Sequence, residues 1–173
     1  MRLRVLVALL FLISATARAD PAAPAASPPP PASAARPTNP LADAIAQLKV
    51  DLESHCKKDE LRPFYQKTAC SPNDITFDQL GDASKATAEE KAAIQKVRIE
   101  VAVFDRRLAQ ALRQYGGPKG DSMAVVIEKI DGQSGEAMMD LYFQKISWGE
   151  YNSRCKELQK EFRDQVNEIG AAK

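Results

Sequence analysis

Three cysteines, a single histidine and scattered carboxylates are the side chains of this 173-residue chain whose types admit chemistry. Cys56, Cys70 and Cys155 show no C-x-x-C spacing, the usual arrangement of a dithiol redox centre. In an oxidising compartment, three cysteines form one disulfide and leave one odd thiol. Cys56 and Cys70 flank Lys57 to Ala69, the segment with the least helical periodicity. Joining them staples that segment and removes unfolded-chain entropy worth ~3 kcal/mol for a loop of about 15 residues. Cys56–Cys70 is therefore the expected pair. Cys155 falls on the apolar stripe of the last helix and is expected to be a buried thiol. Cys56–Cys155, Cys70–Cys155 and an intermolecular bond are the other arrangements.

His55 adjoins Cys56, but no second closely spaced pair completes a four-ligand metal set. Its expected place is a helix end, near the negative pole of the dipole. A catalytic triad would need this one histidine, and no nucleophile elbow accompanies it. Glu89, Glu90, Glu100, Asp105, Glu136 and Asp140 sit where first turns and solvated helix faces want acids, so no acid/base pair stands out. Gly116 to Gly120 contains glycines and a lysine without P-loop spacing, and is expected to be a loop. No catalytic residue, metal site or cofactor is expected.

The aromatic residues fall into two groups. Phe64, Tyr65 and Phe77 surround the expected disulfide, while Tyr142, Phe143, Trp148 and Tyr151 crowd the last interhelix connection. Core packing accounts for most of them. Adjacent residues on one helix cannot both face inward, so one of Tyr142 and Phe143 is expected at the surface. Tyr142, Phe143, Phe64 and Tyr65 are the candidate partner surface.

The elements that must position these residues are legible from their starts. Asn39-Pro40 supplies an N-cap with proline in the first turn, and Leu41, Ile45, Leu48 and Leu52 form one apolar stripe behind it. Pro63 opens a short turn, and Ser71-Pro72-Asn73-Asp74 is turn chemistry. Thr76–Gln79, Thr87–Glu90 and Ser147–Glu150 are three capping boxes, the first and last flanked by the apolar pairs Ile75/Leu80 and Ile146/Tyr151. From the second box Ile94, Val97, Val101, Phe104, Leu108, Ala111 and Tyr115 keep helical spacing until Gly116-Gly117-Pro118. The stretch Asp121 to Lys145 is helical in pattern. Gly132 and Gly135 interrupt it, each costing about 1 kcal/mol against alanine, so a kink or break is expected near Asp131–Gly135. No segment alternates with period two. The fold class is all-α: an antiparallel, helical bundle-like single domain, residues 41–173.

Residues 1–19 have the form of a cleavable secretory signal peptide. Arg2 and Arg4 precede an apolar run from Val5 to Ile13, and Ala17-Arg18-Ala19 is a small-x-small cleavage site before Asp20. The run is too short to span a bilayer, which takes about 20 residues. Residues 20–40 hold eight of the eleven prolines and seven alanines, and are expected to form a disordered Pro/Ala-rich linker. Cleavage removes three arginines from a chain of net charge +1 and leaves a product of net charge −2. Such a balance argues against a nucleic-acid or anionic-membrane binder. The expected location is periplasmic or secreted.

The stretches Ile75 to Gln79 and Ala86 to Lys91 look somewhat like the LTxxQ motifs of periplasmic stress chaperones of the Spy/CpxP type. Neither stretch has the motif's leucine, and only the first has its glutamine, so no functional residue is carried over. The functional expectation is a non-catalytic envelope protein that binds another protein, chaperone- or inhibitor-like. The alternatives are a structural or stress-tolerance protein without a dedicated partner, and an enzyme using His55 or a cysteine.

Overall fold

The computed structural model describes residues 39–172. The signal-peptide segment 1–19 and all but the last two residues of the linker 20–40 lie outside the described residues. Six helices follow: α1 Pro40–His55, α2 Arg62–Tyr65, α3 Phe77–Leu80, α4 Ala88–Tyr115, α5 Gly117–Tyr142 and α6 Trp148–Ala171. Short 3-10 turns at Asp59–Leu61 and Pro72–Asp74 lie between them, and no strand occurs among the described residues. The all-α expectation holds.

Every helix start named by a polar cap is used as such. The Asn39 side chain accepts from the Leu41 and Ala42 amides at 3.1 and 3.3 Å. Thr76, Thr87 and Ser147 each form both halves of a capping box, with Gln79, Glu90 and Glu150 reaching back to the cap amide. Such caps satisfy amides that the first helical turn leaves without partners, and are worth about 1 kcal/mol each.

Side-chain pairs fix the helix directions. His55 meets Glu100 while Asp51 meets Arg107, so α1 runs antiparallel to α4. Arg154–Asp140 and Lys129–Glu161 set α6 antiparallel to α5. The apolar stripes of these helices meet in one core that includes Leu48, Leu52, Val97, Val101, Leu108, Ile127, Ile130, Leu141, Trp148 and Phe162. The connecting segment 57–87 bridges two helices. Its 3-10 turn Asp59–Leu61 and α2 pack on α4, while α3 and the turn Pro72–Asp74 pack on α6.

Two expectations about glycine are corrected. Residues 116–120 do not form a loop: Gly116 alone separates α4 from α5, and Gly117 takes φ +61 as α5 begins. A Cβ on Gly116 would stand 2.6 Å from the Leu112 carbonyl oxygen, and one on Gly120 would stand 2.2 Å from it. Both glycines are there to let two backbones cross at close range. The second correction is that α5 does not break at 131–135 but runs unbroken through Gly132 and Gly135. Gly135 is buried beneath Arg98, whose guanidinium lies 2.6 Å from where a Cβ would be. Burial of Ile127, Ile130, Ala137 and Met138 on either side outweighs a propensity cost of about 1 kcal/mol per glycine.

These positions give alanine substitutions of opposite sign. Gly120→Ala is expected to lower stability by about 1–3 kcal/mol through overpacking at the corner. Gly132→Ala, exposed and with nothing near its Cβ, is expected to raise it by up to about 1 kcal/mol. Urea denaturation of the two variants beside the parent checks both signs.

Candidate functional site

The structure gathers the residues of interest into three places: the disulfide end of α1, the start of α6, and the corner after α5.

At the first, Cys56 and Cys70 are joined, with Cα atoms 6.0 Å apart, and Cys155 is a buried free thiol. The pairing follows the expectation. His55 is the last residue of α1, as its helix-end placement required, and it is buried. Its Nδ1 lies 2.9 Å from Glu100 Oε2, which also accepts from Lys58 Nζ. The ring meets Tyr65 and Phe104 edge-on, at centroid distances of 5.9 and 5.6 Å. Burial holds the imidazole below its ordinary pKa, outweighing the Glu100 carboxylate that favours the charged ring. Partial burial pushes Glu100 up, but hydrogen bonds from Lys58 and His55 outweigh it and hold that carboxyl below its usual range. The surroundings are an ion pair and two aromatic edges.

At the second, the segment Ser147 to Asn152 uses nearly every side chain. Trp148 Nε1 donates to Glu90 Oε2 at 3.2 Å, and the same oxygen accepts the Thr87 amide at 2.8 Å. The Trp148 and Gly149 amides donate to the Ser84 and Asp82 carbonyls at 3.0 and 2.7 Å. A Cβ on Gly149 would stand 2.3 Å from the Leu80 carbonyl oxygen. Asn152, fully buried, accepts from the Thr68 hydroxyl at 2.5 Å and donates to the Lys67 and Gln79 carbonyls at 3.0 and 2.9 Å. Phe64 is 1% exposed and packs edge-on against Trp148 and Tyr151.

Phe64 is therefore core and not partner surface, and Tyr65 is half-buried. Their cause is the short α2, whose inner face Phe64 occupies between α4 and α6. Glu90 and Asp105 are also corrected: both are buried, not on solvated faces. Glu90 is held inside by its double duty as cap partner and indole acceptor. The Asn152 clamp escaped sequence analysis. For the Trp148–Glu90 bond a signal was available, a tryptophan at the first helical position, whose N–H needs a nearby acceptor when buried.

At the third, Tyr142 is half-buried and Phe143 is 59% exposed, so the adjacent pair splits as expected. The Tyr142 hydroxyl accepts from Gln95 Nε2 at 3.0 Å, and Lys91 Nζ stands 5.7 Å from its ring centroid. Phe143 packs edge-on to Tyr142, and Met139, one turn back, is also exposed. Gln144 adopts φ 60 and donates through Nε2 to the Ala86 carbonyl at 2.8 Å, which fixes the corner to the start of α4. Phe77, the first residue of α3, is 88% exposed.

A groove of about 400 Å³ opens between α4 and α5, lined by Val103, Arg106, Gln110, Ile127 and Asp131. Two further cations on its rim are engaged, Arg107 with Asp51 and Arg113 with Glu128. Among the described residues no group of three or more histidine, cysteine or acidic side chains is arranged to hold a metal. No described helix is long and apolar enough to cross a membrane. The described residues thus form an all-helical domain with one disulfide staple and a buried polar knot. Comparison with protein-family models, with characterised proteins and with solved structures finds no match.

Two outcomes follow from this geometry. Asn152→Ala removes the partner of the buried Thr68 hydroxyl and of the part-buried Lys67 and Gln79 carbonyls. A loss of about 1–3 kcal/mol in urea denaturation is expected. For the cysteines, peptide mapping without reductant should join Cys56 to Cys70. Cys155 should resist thiol reagents until denaturant is added, and Cys56→Ser/Cys70→Ser should cost about 3 kcal/mol.

Proposed function

We propose that this is an exported, non-catalytic helical protein that binds another protein through the corner at the end of α5. The observation that carries the reading is the exposed pair Met139 and Phe143, one turn apart on one helix face. An exposed aromatic costs solvation free energy that burial against a partner recovers, and rigid aromatic anchors of this kind dominate many interfaces. The corner is preorganised. Gln144 holds a left-handed turn that glycine more often occupies, and its side-chain bond to Ala86 offsets the strain. Tyr142 is fixed by Gln95, so Phe143 has a rigid ring to lean on. Little conformational entropy is lost when such a surface docks.

Export is supported by the pattern of residues 1–19 and by the Cys56–Cys70 bond, since structural disulfides persist in oxidising compartments.

The test compares three forms as affinity bait in an extracytoplasmic extract: the parent, Met139→Ala/Phe143→Ala, and Val125→Ser, which changes an exposed apolar site elsewhere on α5. Recovery of a discrete partner is expected to fall at least tenfold for the double variant alone, with thermal stability unchanged. Equal recovery by all three forms, or no partner with any, would overturn the proposal in favour of a purely structural role.

A further inference from the structure

α1 packs chiefly along α4, with Ile45, Leu48 and Leu52 buried beneath it. At its last residue the chain places its only histidine, 1% exposed. A carboxylate accepts and cannot donate, so Glu100 at Nδ1 fixes the neutral ring with its proton on Nδ1. Nε2 is left as the basic nitrogen, buried and without a hydrogen-bond partner. The groups facing the ring are Glu100 and Phe104 from α4, Tyr65 from α2, and Lys58 just beyond α1. The charges further out are already paired, as Arg107–Asp51, Lys96–Glu60 and Arg62–Asp59. Lys58 adds a like charge beside the ring. One residue further on, Cys56 is covalently joined to Cys70.

We propose that α1 is an acid-loosened clasp on α4. Protonation of His55 at Nε2 weakens the seat of the ring between Tyr65 and Phe104 and frees the face carrying Ile45, Leu48 and Leu52. The helix stays tethered at its C-terminal end through Cys56–Cys70. The direction follows from proton binding. The ring is harder to protonate in the closed state than in the open one, where it titrates at its ordinary value of about 6.5. The closed state is therefore favoured fully above that value and loses ground as pH falls below it. One pH unit below it, the linkage amounts to at most about a tenfold shift toward the open state. Glu100 is held below its usual range and stays ionised throughout that interval, so the two titrations do not overlap.

Hydrogen exchange of the full chain at pH 7.5 and 5.5, corrected for intrinsic rates, is the test. Protection of α1 amides is expected to fall several-fold, up to about tenfold, while α6 amides keep theirs. Because His55 is the only histidine, one ring resonance reports its protonation. In the parent the ring should titrate below its ordinary value of about 6.5, while α1 protection begins to fall as the pH drops below that value. His55→Gln should remove the pH dependence of α1 exchange. Should that variant fail to fold, the parent's ring titration and the pH at which α1 protection begins to fall decide alone. Equal loss of protection in α1 and α6, an α1 exchange rate independent of pH, or a ring that titrates at or above its ordinary value would overturn the proposal. None of these outcomes depends on a partner at Phe143.

Discussion

One carboxamide, that of Asn152, holds the segment between Cys56 and Glu90 against the helical frame. It takes up the buried Thr68 hydroxyl and the part-buried carbonyls of Lys67 and Gln79. A polar group that loses its partner on burial costs about 1–3 kcal/mol, so this spot on α6 favours the observed path of the segment at 67 and 79. Gly149 is the steric complement of that bond set. Without a side chain it lets the Leu80 and Asp82 carbonyls approach the first turn of α6 closely enough for its amide to reach Asp82. The start of α6 thereby fixes the path of the connection on both sides.

The knot also determines what the aromatic residues do. Phe64 reaches Trp148 and Tyr151 because the segment carrying it is held against α6 at one end and packed on α4 at the other. Trp148 in turn needs an acceptor, and Glu90 provides it from the first turn of α4 while closing its own capping box. A carboxylate at a helix N-terminus interacts favourably with the dipole, which helps it tolerate burial. Lys67 adds a second support. It bonds Asp82 at 3.0 Å and stands 4.0 Å from Glu90, tying the same loop to α4.

Much of this architecture is written in local signals. Asn39, Thr76, Thr87 and Ser147 announce helices because a capping oxygen is needed only where a helix begins. The Cys56–Cys70 pair and the exposure of one of Tyr142 and Phe143 follow from loop length and from the geometry of adjacent helical residues. What local signals do not carry is contact between distant segments. Gly116 and Gly120 look like a loop until two backbones are seen to cross there. Gly132 and Gly135 look like a break until burial on either side is weighed. Glu90 and Asp105 look solvated because a sequence shows an acid and not the tryptophan or helix face that covers it. Phe64 looks available for the same reason, since nothing near it in the chain names its partners on α6. The Asn152 clamp joins residues more than seventy positions apart, and the spacing of asparagines holds no trace of it.

The same long-range view separates the rigid part of the molecule from the part able to move. The corner at Phe143 is tied to α4 through Gln144 and Gln95, on helices that share the central core. α1 stands differently. Three buried aliphatic side chains hold it to α4, each worth about 1.5–3 kcal/mol when fully buried. One proton on His55 offsets at most about 1.4 kcal/mol for each pH unit below its ordinary value. Acid therefore raises the population of an opened α1 without melting the helix off the domain at mildly acidic pH. The disulfide limits the motion further, because it anchors the C-terminal end and leaves the Asn39 end to swing. The face exposed in that motion is the apolar stripe of α4 beneath Ile45, Leu48 and Leu52. The proposed opening and the proposed binding are thus separable, since the groups that hold Phe143 in place, Gln95, Gln144 and Ala86, do not belong to α1.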